Sequence, residues 1–305
     1  MNTLQRIIVA TDFSLHATHA VQRAALLAQQ CGAELHLLHI VYPLNLYPGQ
    51  DIAAEFLLDE QALQAEGGNR LDLLATMLRE QYDITVEDVT RIGRAHTEIA
   101  EYAAVKAADL IVVGARGENP VLNLLLGATT SRLLRVASCP VLVVKNTATV
   151  PYRQVIAAVD LSPESMTLPA FAVAVAPGAS IEALFIFDSR QAAAMGASTF
   201  QKYHTSVQAD AEKRLEAMVS KLGDAHVTHR ILTGYPATRI CEQASAQHAE
   251  LIVMGRHSKS GLENWLLGSV SKDVSQTAPC DVLIISLYGT CSDLTLYRCM
   301  AGTDS

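Results

Sequence analysis

Gly114-Ala-Arg-Gly117, nine residues, then Gly127-Ala128-Thr129-Thr130 returns 141 positions later as Gly255-Arg-His-Ser258, nine residues, then Gly268-Ser269-Val270-Ser271. A β-branched apolar run precedes the first glycine of each copy, Leu110-Ile-Val-Val113 and Leu251-Ile-Val-Met254, and an apolar helical stretch begins at the last. Strand, glycine loop and helix N-terminus in that order bring free backbone N–H groups and the positive end of a helix dipole to one place, a cradle suited to an anion.

The offset holds through the later part of each half: Gly93 to Gly234, Gly114 to Gly255, Gly127 to Gly268 and Cys139 to Cys280 are all 141 apart. It widens toward the start, to 146 between Gly32 and Gly178 and 148 between Asp12 and Asp160, so the first copy is longer, mostly between its second and third strands. A period this long exceeds a solenoid repeat and fits two complete domains, 1–147 and 148–288, followed by a tail, 289–305. The joint falls in Asn146–Arg153, which lacks amphipathic period and contains Pro151. The tail has no counterpart in the first half and is expected to be loosely held.

Half of the 305 residues are hydrophobic and 18% are charged, enough apolar material for two cores. No apolar run reaches the eighteen or so residues of a membrane span, and Met1–Arg6 leads directly into a strand pattern without the features of a signal peptide; the cytoplasm is the expected compartment. A net charge of −8 without a basic stripe argues against nucleic acid and anionic membrane as partners. The six cysteines form no C-x-x-C pair and read as free thiols, Cys291 and Cys299 being the candidates for exposure and oxidation. The histidines show no metal spacing; His16 and His19 read as a surface pair.

Each half alternates short β-branched runs with helical patterns. The first reads as strands at 6–10, 34–41, 85–91, 110–113 and 141–145, with helices at 17–30, within 52–81, at 97–106 and at 129–136; the second repeats this from 154–159 to 282–286. Near-continuous apolar strands separated by helices predict a parallel sheet covered on both faces. The expected fold is α/β, two tandem doubly wound five-stranded domains. Ligands of such sheets sit beyond the carboxyl ends of the strands where strand order reverses, and Asp12 and Asp160 follow the first strand of each half. Each aspartate also reads as an ordinary helix N-cap. The last strands, Val141–Val144 and Val282–Ile285, are wholly apolar yet predicted at an edge; pairing of the two across a pseudo-twofold axis would cover both. Association of two such chains into a homodimer through other faces stays open.

These segments resemble a tandem universal stress protein, with both halves covered nearly end to end. The resemblance rests on Val9-Ala-Thr-Asp-Phe-Ser14 and Ala158-Val-Asp-Leu-Ser-Pro163, on Gly32–Ile40, on the two glycine loops, and on Ala-Ser-Cys-Pro-Val-Leu-Val-Val and Ala-Pro-Cys-Asp-Val-Leu-Ile-Ile at the ends of the halves. It implies a fold like that of the adenine nucleotide alpha hydrolases, arranged as an intrachain pseudo-dimer. It also implies binding of ATP or a related adenine nucleotide in stress survival, with the need for magnesium left open. Carried over by position, Thr11, Asp12 and Ile40 would meet adenine and ribose, while Gly114, Arg116, Gly117, Gly127, Thr129 and Thr130 would hold phosphates. The second set is Asp160, Ile186, Gly255, His257, Ser258, Gly268, Ser269, Val270 and Ser271.

Both copies depart from the pattern. Ala128 stands where the family has serine or threonine, and a lost hydroxyl to a charged phosphate costs about 1.5–3 kcal/mol; Thr129 or Thr130 can substitute. Ser258 stands where glycine is expected, at a cost of roughly 1–2 kcal/mol if the backbone there is left-handed. Against roughly 8 kcal/mol for micromolar binding, neither change alone abolishes a site. Three further readings remain. The glycines can serve only tight turns and helix packing. A slow ATPase or autophosphorylating protein would use Thr129, Thr130 or Ser271. An apolar-ligand module or scaffold would use Tyr42–Phe56 with Phe185, Phe187, Phe200 and Met218, residues that equally complete a core. No G-x-x-x-x-G-K-[ST] loop occurs, and no G-x-G-x-x-G follows either first strand, which excludes a P-loop NTPase and disfavours a dinucleotide dehydrogenase.

Overall fold

The computed structural model describes residues 4–42, 54–117, 126–192, 197–223, 226–256 and 267–286. His257, Ser258, Cys291, Cys299, most of Tyr42–Phe56 and the tail lie outside them. The chain divides into two compact units, Thr3–Val150 and a second that begins at Pro151.

In the first unit β1 (Arg6–Thr11), α1 (Leu15–Cys31), β2 (Glu34–Val41), α2 (Ala54–Tyr82), β3 (Val86–Ile92), α3 (Ala95–Val105), β4 (Leu110–Gly114), α4 (Ala128–Val136) and β5 (Val141–Val144) follow one another. The strands lie in the order β3-β2-β1-β4-β5 and every pair within the unit is parallel. Ile7 pairs with Leu35 on one side and Leu110 on the other, so β1 is flanked by the strand that follows it and the strand that arrives last but one. Strand order therefore reverses between β1 and β4. Ile7, Ile8, Leu35, Leu37, Leu38, Leu110 and Ile111 are wholly buried. A sheet covered on both faces has no wet side, which is why these strands lack polar alternation.

The second unit repeats the plan with β6 (Gln154–Val159), α5 (Leu168–Val175), β7 (Ser180–Asp188), α6 (Ala197–Lys221), β8 (Val227–Gly234), α7 (Pro236–Ala246), β9 (Leu251–Gly255), α8 (Ser269–Thr277) and β10 (Asp281–Ile285). Its strand order is β8-β7-β6-β9-β10, again parallel, with the reversal between β6 and β9.

Two local expectations need correction. Asp12 is not the N-cap of α1: Ser14 is, its hydroxyl accepting from the Ala17 N–H at 3.3 Å, while Asp12 Oδ1 accepts from the Ser14 N–H at 3.1 Å. The aspartate folds the turn and the serine starts the helix. Asp160 likewise holds a turn, accepting from the N–H and the hydroxyl of Ser162 at 2.9 and 2.6 Å, and a 3₁₀ turn at Ser165–Thr167 delays α5 to Leu168. The helix α2 also runs through Gly67 and Gly68, a pair that each costs about 1 kcal/mol against alanine. A Cβ at Gly67 would lie 2.7 Å from the His39 ring, so close packing on β2 accounts for that glycine.

Candidate functional site

At the carboxyl end of β1 the chain turns through Phe13 with φ of 61°, a left-handed conformation for a non-glycine residue, and Leu161 repeats it at 64° in the second unit. Such a residue costs about 1–3 kcal/mol unless its surroundings hold it. Here they do. The Phe13 N–H donates to Thr11 Oγ1 at 3.0 Å, and the Phe13 ring lies 4.7 Å from the His39 ring with the Arg70 guanidinium 4.1 Å from its centre. His39 Nδ1 is 2.9 Å from the Thr11 carbonyl and donates to it, fixing that ring as well. Thr11 is thus buried and its hydroxyl committed to the turn, while Asp12 is exposed and Ile40 half-buried.

The glycine loop meets this turn at the strand-order reversal, and its glycines have separate reasons. A Cβ on Gly114 would lie 2.7 Å from the His16 carbonyl oxygen and 3.1 Å from the Ala17 nitrogen, backbone that cannot yield, so glycine lets the end of β4 touch the first turn of α1. A Cβ on Gly117 would lie 2.7 Å from Asp12 Oδ2. Gly127 donates its N–H to the Ala115 carbonyl at 2.7 Å, closing the loop, and Gly268 does the same to Arg256 at 2.9 Å. Gly127 and Gly268 also serve as N-caps of α4 and α8 without a side-chain cap bond. The first N–H groups of each helix therefore have no intrahelical acceptor. Thr129 and Ser269 stand exposed on those first turns, with Val270 half-buried beside Ser269.

Two residues expected on the phosphates are employed elsewhere. Thr130 is buried and donates its hydroxyl proton to the Gly114 carbonyl at 2.9 Å; Ser271, also buried, donates to the Gly255 carbonyl at 2.7 Å. Each fastens a helix to the end of the preceding strand. A hydroxyl has one proton to give, so neither is a phosphate donor in this arrangement.

The two crevices differ in charge. Around the first, His16 is held below its ordinary pKa by burial and then by the Arg116 guanidinium, and His96 by burial and then by Arg132 and Arg94. The 141-residue offset carries Arg94 to Tyr235 and Arg132 to Asp273. There the Arg190 guanidinium clamps Asp188 with bonds of 3.0 and 2.7 Å and lies 4.3 Å from the Tyr235 ring centre, and the Tyr235 hydroxyl donates to Asp273 Oδ2 at 2.5 Å. That bond raises the Tyr235 pKa, and the Arg190 clamp lowers that of Asp188. At these positions the first rim has arginines, whereas the second has Arg190 paired with Asp188 and one further carboxylate, Asp273. Ile186 is buried, Asp160 and Gly255 are half-buried, and Arg256, in the place of Ala115, is buried with Nη2 on Ser286 Oγ at 2.8 Å. Reading the two halves from their sequence separated them only by Ala128 and Ser258; the offset also pairs Arg132 with Asp273. Phe185, Phe187 and Met218 are core residues, the Phe187 ring packing edgewise on His204 at 4.8 Å.

The universal stress protein family model matches residues 3–145 and again residues 151–286. A universal stress protein of Mycolicibacterium smegmatis is 30% identical over 287 residues, covering 92% of this chain and 96% of its own. Universal stress protein Rv1996 of Mycobacterium tuberculosis is 28% identical, over 91% of this chain and 94% of its own length. Among solved structures, a universal stress protein from Archaeoglobus fulgidus superposes with a TM-score of 0.65 at 18% identity, covering 92% of this chain and 96% of that one. Two family domains in one chain, together matching nearly all of it, place this protein in the universal stress protein family.

Proposed function

We propose that the first unit binds an adenine nucleotide, ATP being the candidate, as a regulatory ligand, and that the second crevice is a poor site for it. The observation that carries this reading is the contact of Gly117 with the Asp12 carboxylate at the β1–β4 reversal. It sets an acceptor for ribose or base next to the uncapped start of α4, where backbone N–H groups suit phosphate. Arg116 stands on the loop between them, and Thr129 is the hydroxyl on the helix turn. Asp12 and Ile40 would take the nucleoside end, and Arg94, Arg116 and Arg132 supply the field that draws a polyanion. The second rim, with Asp188 and Asp273, opposes one.

The reading is of a sensor whose loops change with occupancy, acting in the cytoplasm, and not of a high-turnover enzyme; whether magnesium accompanies the nucleotide belongs to the same test. Calorimetric titration of the full chain with ATP, with and without magnesium, should give one tight site. Asp12→Ala should weaken it at least tenfold, while Asp160→Ala leaves it unchanged. A full-strength site in Asp12→Ala, or loss in Asp160→Ala, would reverse the assignment; absence of any nucleotide binding would end it.

A further inference from the structure

The polar residues of β2 and β3 form a second group, at the opposite end of the sheet from the glycine loops. Glu34 and His36 share one face of β2, two residues apart, and Glu87 pairs with His36 in register on β3. His36 is 1% exposed. Its Nδ1 lies 2.8 Å from the Tyr102 hydroxyl and 3.4 Å from Glu87 Oε2, and the Tyr102 hydroxyl in turn donates to Glu87 Oε1 at 3.4 Å. Nε2 is buried without a hydrogen bond, and Glu34 Oε2 stands 3.5 Å from it.

That separation is the one a tetrahedral metal ion sets between its ligands, roughly 3.4 Å for bonds of about 2.1 Å. We propose that Glu34, His36 and Glu87 form a binding site for a divalent transition-metal ion such as zinc. Their ligand atoms all lie within 4.8 Å of one another. His36 Nε2 and Glu34 are set as a pair, Glu87 closes the site, and the 2.8 Å contact of Nδ1 with the Tyr102 hydroxyl orients the imidazole as outer partners of metal-bound histidines do. One imidazole with two carboxylates suits zinc or cobalt over magnesium.

The duplication supplies the contrast. At the position of His36 the second unit has Glu182, equally buried, and its carboxylate accepts from Arg230 Nε at 2.8 Å, Gln243 Nε2 at 2.7 Å and Gln247 Nε2 at 2.8 Å. Gln243 and Gln247 are the 141-residue counterparts of Tyr102 and Lys106. The second unit fills its buried polar position with donors; the first leaves His36 Nε2 without a hydrogen-bond partner. Two cations compete in the first unit, Lys106 Nζ at 2.9 Å from Glu87 and Arg6 Nε at 3.5 Å from Glu34, but each of these pairs has both side chains a third or more exposed. Such pairs are weak and exchange readily.

The test is titration of the nucleotide-free, chelator-treated full chain with zinc chloride, and separately with magnesium chloride, beside the visible absorption of a cobalt-loaded sample. The expected result is one zinc per chain, no comparable magnesium binding, and a tetrahedral cobalt band. His36→Gln and Glu34→Gln should each weaken zinc at least tenfold; Glu34 is half-exposed, so its variant keeps the fold even if the buried one does not. Lys106→Ala should tighten zinc several-fold by releasing Glu87. Zinc affinity equal in wild type, His36→Gln and Glu34→Gln would assign the metal to thiols elsewhere and overturn the site, as would no zinc binding. An unchanged affinity in Lys106→Ala would overturn Glu87 as a ligand.

Discussion

Asp12 and Gly117 stand so close that a single Cβ on the glycine would lie 2.7 Å from the aspartate carboxylate. The two are 105 positions apart in the chain, and the β1–β4 pairing brings them together. Gly117 is not among the residues with positive φ, so the space it leaves, and not its backbone freedom, is what matters there.

Gly117→Ala should therefore fold normally and push the Asp12 side chain out of place. ATP affinity is expected to fall about tenfold, near 1.4 kcal/mol, with little change in Tm. Calorimetry beside a thermal melt measures both, and wild-type affinity in this variant would remove the Asp12 carboxylate from the site.

Arg132→Asp installs in the first unit the charge that Asp273 carries in the second. If the cationic rim draws the polyphosphate, ATP binding should weaken by tenfold or more and lose part of its salt dependence, because a long-range attraction between exposed charges is screened by ions. Titrations at two ionic strengths check this. A variant with unaltered affinity at low salt would show that the rim charge is irrelevant.

Thr130→Val separates fastening from ligand binding. The methyl replaces the hydroxyl at nearly constant volume and leaves the Gly114 carbonyl without its donor, at a cost of about 1–2 kcal/mol. Urea denaturation should record that loss while ATP affinity stays near wild type. The opposite pattern, intact stability with lost binding, would return Thr130 to the phosphates.

Acid should destabilise the protein through His16 and His96. Both have folded-state pKa values held below the ordinary value, first by burial and then by neighbouring arginines. As pH falls below about 6.5 the unfolded chain takes up protons that the folded chain refuses, so stability is complete above that value and declines below it. Urea melts between pH 7 and pH 5 should show the decline, and His96→Gln should make it shallower. A slope identical to wild type would clear His96 of any part.

Much of the architecture is legible along the chain. The central strands followed from apolar runs, because a strand buried on both faces is apolar throughout, and the observed bounds lie within a residue or two of them. At the end of the strand order, β3 carries Glu87, Asp88, Thr90 and Arg91 at partly exposed positions. The start of α1 was less legible: Asp12 and Ser14 are both residues that cap helices, and only the hydrogen bond to the Ala17 N–H identifies Ser14 as the cap. Thr129 and Thr130 posed the same difficulty. Adjacent residues of one type on a helix turn point about 100° apart, so one is exposed and the other bonded to Gly114.

The sequence by itself determined that there are two α/β units of one family, since a 141-residue offset in glycines and apolar strands is a property of order along the chain. It also marked where the strand-end loops of each unit gather, because parallel strands joined by helices leave their carboxyl ends together. Only the tertiary structure decided which hydroxyls are spent on backbone carbonyls, that Arg190, Asp188, Tyr235 and Asp273 close into one network, and that buried His36 faces Glu34 at 3.5 Å. Those outcomes depend on distances of a few ångströms between side chains on different elements. Hydrogen bonds and ion pairs are decided at that range, while hydrophobic periodicity needs only the residue order.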